Sequence, residues 1–246
     1  MQSIQTNSSE LEQQALKDSV ISRNTSGVTS LMSGNFRQST TSFLAALQDS
    51  KSLLNGSDLT DLDPMDIVFS DTYHHQLQQQ NFATVEVGCC ALEAANESIF
   101  CVFNQCLVIP DRSSFDAVFA LNEDIIPSIL LYNVGLSLQM QGMQQGNEAL
   151  ISRAQGAYEI ALTILTGVTE PMGADGLLLL LAVLNNVAAI ESRRFNQAKA
   201  SRYADLIRDV LENEEFADML GHGIFDFFVL YLFLSPRMCQ TASPAA

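Results

Sequence analysis

Basic residues are scarce in this chain: 12 lysines and arginines stand against 28 acids, a net charge of −16. Such a surface repels phosphate backbones unless a basic stripe overcomes the field, so nucleic acid is not an expected partner. Long apolar runs are lacking as well. Leu177 to Leu184 is ended by Asn185 and Asn186, and Ile224 to Leu234 is interrupted by Asp226. Both fall short of the roughly 20 residues that cross a bilayer, and no membrane is expected as a partner. Met1 to Glu10 is polar, without the hydrophobic core of a secretory signal. Cysteines are few and odd in number (Cys89, Cys90, Cys101, Cys106, Cys239), mostly within apolar text. They read as buried thiols of a reducing compartment, cytoplasmic or nuclear, and not as a disulfide framework.

Residues that carry chemistry are sparse too. The histidines are His74, His75 and His222. His74-His75 followed by Cys89-Cys90 is a poor zinc set, because adjacent ligands rarely converge and no Cys-x-x-Cys is present. A nucleophilic Cys101 or Cys106 would need a neighbouring base and a depressed pKa, whereas apolar neighbours raise it. Ser26-Gly27 and Ser33-Gly34 follow no strand and are not nucleophile elbows. No catalytic residue, metal or cofactor is expected, and the chain reads as a binding protein.

What is abundant is apolar residues, 47% of 246 and enough for a sizeable core, with much of this text at helical spacing. Gly27-Val28-Thr29-Ser30-Leu31-Met32-Ser33-Gly34-Asn35-Phe36 is followed by Ser39, Phe43, Ala46 and Leu47. Residues three and four apart share a helix face, so small Ser39 and Ala46 admit a neighbour while Phe36 and Phe43 fill the space beside them. This pattern resembles a tetratricopeptide repeat, a helical hairpin of roughly 34 residues. Leu131-Tyr132-Asn133-Val134-Gly135-Leu136 is similar to the first helix of a second such unit, with Gly135 as the small residue. Its second helix carries Ala154, Tyr158, Ala161, Leu162 and Leu165, after a joining turn, Gly142 to Ile151, several residues too long. Leu184-Asn185-Asn186-Val187-Ala188 starts a third unit, with Arg194-Phe195-Asn196-Gln197-Ala198 supplying the aromatic-then-alanine opening of its second helix. Glu191 there occupies a usually apolar place.

The resemblance implies a mainly α fold: a right-handed superhelix of repeat-like hairpins in one domain over 11–235, with insertions. Residues 1–10 read as a loose N-terminus and 236–246 as a frayed tail. Helices are expected near 11–33, 36–54, 115–121, from Pro127, 147–167, 177–193, 195–212 and 216–235. The largest insertion, about 55–114, opens with the acidic text Ser57 to Asp71 and the glutamine tract Gln76 to Gln80, read as mobile and solvated. Ile99 to Phe103 and Cys106 to Ile109 are rich in β-branched and aromatic residues. Turned at Asn104-Gln105 they would make a short β-hairpin, buried on both faces.

In the family this chain resembles, the first helices line a concave groove. Carried over by position, that lining is Asn24, Thr25, Val28 and Leu31; Tyr132, Asn133, Leu136 and Gln139; and Asn185, Asn186, Ala189 and Ser192. The resemblance further implies that Asn133 and Asn186 grip a peptide backbone or a terminal carboxylate. The bases such a carboxylate clamp requires are missing from 128–140 and 181–190. The bland alternative for these asparagines is helix-to-helix hydrogen bonding. Arg193, Arg194, Lys199, Arg202 and Arg208 form a second surface, either a solvated helix face or a contact for an acidic segment. The expected function is a scaffold that holds a protein or peptide segment in the groove. The alternatives are an enzyme whose site lies in the 55–114 insertion and a regulatory subunit that self-associates through its apolar C-terminal helix.

Overall fold

The computed structural model describes residues 2–54, 83–87, 102–121, 123–167, 173–212, 220 and 222–234. Its elements are α1 (Gln2–Met32), α2 (Phe36–Leu53), β1 (Ala83–Glu86), β2 (Gln105–Val108), α3 (Arg112–Leu121), α4 (Ile125–Gln145), α5 (Glu148–Gly167), α6 (Ala174–Arg193), α7 (Gln197–Leu211) and α8 (His222–Leu234). The described residues are mainly helical, with one small two-stranded sheet among them. It divides into two compact units: one holds α1 to α5 with both strands, the other Phe103 and α6 to α8. The acidic and glutamine-rich text of the insertion, His74, His75, Cys89, Cys90, Cys101, Cys239 and the tail from Ser235 lie outside the described residues.

Helix α1 starts at Gln2, well before the expected start at residue 11. Nothing in the first ten residues is a glycine or proline that would stop it. Within the first unit α1 packs on α2, α2 on α4 and α4 on α5, so α4 returns to α2 across the whole insertion. Thr40 and Ser137 join there, hydroxyl to hydroxyl at 2.9 Å, and Ser137 also donates to the Phe36 carbonyl at 2.9 Å. The face read from Phe36, Ser39, Phe43, Ala46 and Leu47 is buried, as are Ala154, Tyr158, Ala161, Leu162 and Leu165. Two glycines make the hairpins close. A Cβ on Gly27 would lie 2.5 Å from the Phe43 ring, and one on Gly135 would lie 2.5 Å from the Tyr158 ring.

Three helix-to-helix turns are built alike. In the first, Gly34 N–H bonds the Leu31 carbonyl and Asn35 N–H that of Ser30. Gly146 and Asn147 bond Met143 and Gly142 in the same way, and Phe195 and Asn196 bond Ser192 and Glu191. This paired pattern satisfies carbonyls that a helix end leaves orphaned, and it needs a left-handed residue at its centre. That residue is Gly34 (φ 73°), Gly146 (φ 62°) and, in the third turn, Phe195 (φ 59°). Two expectations are thereby corrected. The α4–α5 joint is short, because α4 runs to Gln145 and α5 begins at Glu148. Phe195 does not open α7: it sits in the turn, 87% exposed, because the turn pattern aligns it with Gly34 and not with Phe36.

The expected hairpin turned at Asn104-Gln105 is also corrected. β2 begins at Gln105 and pairs antiparallel with β1, with Val85 opposite Cys106 and Thr84 opposite Leu107. Burial on both faces holds, since Cys106 and Leu107 are fully buried. In the second unit α6 packs on α7, and α8 on α7. Helix α6 is long and apolar enough to cross a membrane by length and composition, but 94% of that window is buried inside the protein, as a core helix would be.

Candidate binding site: asparagine clamps on an extended segment

An extended strand turns the N–H and C=O of alternate residues to opposite edges. In β2 the even residues face β1, and just before the strand Asn104 accepts from Val87 N–H at 2.9 Å. The odd residues turn their backbone groups to the helices of the first unit, and side chains complete the edge that a third strand would otherwise fill. Asn133 on α4 closes on Leu107: its Oδ1 accepts from Leu107 N–H at 3.1 Å and its Nδ2 donates to Leu107 C=O at 2.8 Å. Asn24 on α1 accepts from Ile109 N–H at 3.3 Å and reaches Leu107 C=O at 3.5 Å. The Tyr132 hydroxyl donates to Gln105 C=O at 2.9 Å. A primary amide has the donor and acceptor of a peptide group, which is why asparagine suits this work.

The second unit repeats the device. Asn186 on α6 accepts from Phe103 N–H at 2.8 Å and donates to Phe103 C=O at 3.1 Å. Asn185 Nδ2 donates to Asn186 Oδ1 at 3.2 Å and steadies that amide. The Phe103 ring stacks on Phe228 at 5.1 Å and meets Phe227 edge-on at 5.3 Å.

Asn24, Asn133 and Asn186 are buried, and their amides hold the backbone of the chain's own 103–109 text. Val28, Leu136, Gln139 and Ala189 are buried beside them, and Gln139 accepts from the Tyr158 hydroxyl at 2.8 Å. Thr25 is exposed. The segment from Phe103 to Ile109 is the participant that sequence reasoning missed. Its signal was present in the unbroken apolar run Cys106 to Ile109, which needs a partner on each edge. Burial pushes the Cys106 thiol far above its ordinary pKa, which keeps it protonated and unsuited to nucleophilic attack.

Exposed contacts fasten the strand's C-terminal side. Asp111 Oδ1 accepts from Ser114 N–H at 2.8 Å and Ser113 hydroxyl at 2.7 Å, capping α3 and holding its own carboxyl below the ordinary value. Lys17 on α1 meets Asp116 on α3 at 2.6 Å, and its ammonium stands 5.9 Å and 5.7 Å from the Phe115 and Phe119 ring centres. Arg112 grips Asp18, and that hydrogen bond lowers the Asp18 pKa and raises that of Arg112.

The basic cluster of the second unit is partly engaged. Lys199 lies 3.6 Å from buried Glu191, which also accepts from Asn196 Nδ2 at 3.0 Å. Asp205, expected beside Lys199 and Arg202, bonds Arg208 at 2.6 Å. Arg194 ends α6 and Arg202 is exposed on α7. Among the described residues no three His, Cys, Asp or Glu side chains come together as a metal site. The chain matches no family model, no curated protein and no solved structure.

Proposed function

We propose that this protein is an interaction scaffold, without chemistry of its own, that recognises an extended protein segment by its main chain. The observation that supports this reading is the set of asparagine amides on α1, α4 and α6, each hydrogen-bonded to main chain: strand β2 and Ile109 in the first unit, Phe103 in the second. Amides that read N–H and C=O discriminate conformation more than sequence, so partners of varied sequence are accommodated if they are extended. Repeat-like hairpins of the tetratricopeptide kind are the architecture proposed to carry these amides. Panning a displayed peptide library against the full chain tests the reading. Enriched peptides should be extended and apolar, bind stoichiometrically, and lose binding in the Asn133→Ala/Asn186→Ala protein. A library that yields no stoichiometric binder, or peptides indifferent to both substitutions, counts against it.

A second reading has its own observation. Leu230 and Phe233 on α8 are 51% and 65% exposed in an otherwise apolar helix, which favours self-association through that helix. Sedimentation of wild type against Leu230→Lys/Phe233→Lys decides it: a concentration-dependent dimer in the first, absent in the second, is the expected result.

A further inference from the structure

We infer that Gln105–Ile109 is a built-in ligand: it occupies the clamps of the first unit until an outside segment of the same kind replaces it. The inference rests on the scaffold reading above and adds what must leave and what the partner resembles. Three observations support it. First, the hydrogen bonds described from α1 and α4 to this segment go to its backbone, through Asn24, Tyr132 and Asn133. Second, the helical hairpins close without it. The Gly27–Phe43 and Gly135–Tyr158 contacts and the Thr40–Ser137 bond all lie between helices. Third, the segment lies within the insertion between α2 and α4, so its departure cuts no link of the helical stack.

Burial then fixes the kind of partner. Cys106, Leu107 and Ile109 are fully buried, and Asn133 would be left with unsatisfied donor and acceptor if the strand simply left. An empty clamp is therefore disfavoured, and one extended apolar segment exchanges for another. The partner carries apolar side chains where Cys106, Leu107 and Ile109 stand, with main-chain groups free at alternate residues. A tethered ligand competes at an effective concentration on the order of millimolar, so it weakens any outside peptide until its own hold is reduced.

The test uses a fluorescein-labelled peptide of residues 102–110 and the full chain, read by fluorescence anisotropy under reducing conditions. Leu107→Ala loosens the tethered segment and should bind the peptide at least tenfold more tightly than wild type; adding Asn133→Ala should abolish that gain. Equal binding by wild type and Leu107→Ala would overturn the built-in ligand while leaving the scaffold reading in place. Should Leu107→Ala fail to fold, native-state hydrogen exchange on wild type decides. The Leu107 and Ile109 amides should then open well before the Leu138 amide of α4. Exchange of all three only with global unfolding would mean a permanent strand and would overturn the inference, with the scaffold reading still judged by library panning.

Discussion

The first two hairpins and the third solve one problem with different residues. In α1–α2 and α4–α5 a glycine lies under an aromatic ring, and a second glycine takes the left-handed place in the turn. In α6–α7 the corresponding residues are Ala188, fully buried, and Phe195 at φ 59°. One position before the shared turn also differs. Ser30 and Gly142 are small, whereas Glu191 is buried and held by Asn196 and Lys199. The turn geometry is thus set by the hydrogen-bond pattern. Glycine is the low-cost way of meeting it and is not a requirement.

The largest effect that sharpens this contrast is expected at the close contacts. Gly135→Leu should cost about 3 kcal/mol or more, since even a Cβ meets the Tyr158 ring and that ring is pinned by its hydroxyl to Gln139. Ala188→Gly in the third hairpin should cost only about 1 kcal/mol, through helix propensity. Urea melts of the two variants check the difference, and a neutral Gly135→Leu would break the comparison.

Next come the amides. Asn133→Ala leaves the buried Leu107 N–H without its acceptor, at about 1–3 kcal/mol, and leaves the Leu107 C=O only the 3.5 Å contact from Asn24. Asn186→Ala should likewise remove the two bonds that amide makes to the Phe103 N–H and C=O. Amide exchange should rise at Leu107 in one variant and at Phe103 in the other. A smaller effect of opposite sign is expected in the turns. Phe195→Gly should stabilise by about 1 kcal/mol, whereas Gly34→Ala and Gly146→Ala should destabilise by about the same amount, because left-handed backbone is strained for residues with a Cβ. Thermal melts that show the same sign for all three would remove the contrast.

The smallest effect concerns the exposed fastening of α3 to α1. The Arg112 hydrogen bond lowers the Asp18 pKa. Its contribution is complete above the unfolded carboxylate pKa of about 3.9 and is lost as pH falls through the lower folded value. Protection of the α3 amides, relative to their intrinsic exchange at each pH, should therefore fall below about pH 4 and in added salt. The neutral amide clamps on Leu107 should not respond to either change directly.

Legibility in the sequence follows interaction range. Helix faces such as Phe36–Leu47 and Ala154–Leu165 were readable because their partners repeat every three or four residues. The Gly34-Asn35 stop was readable for the same local reason. The insertion's strand pairing was not: β2 binds text some twenty residues upstream, and no local rule prefers Ala83–Glu86 over Ile99–Phe103. Asn24, Asn133 and Asn186 were legible as a set, but not their occupant, because hydrogen-bonding capacity names no partner. Phe195 was misread because aromatic residues are expected inward, while its φ is dictated by the turn's bonds to the carbonyls three and four residues before it.

A short strand such as Cys106–Ile109, uncharged and rich in β-branched residues, invites another chain to stack on any open edge. Here one edge is taken by β1 and the other by asparagine amides, which present the shape of a neighbouring strand yet cannot be extended by one. Side-chain amides thereby close the β2 edge of the sheet. They let the protein carry a short β-prone run without offering that edge as a template for another strand.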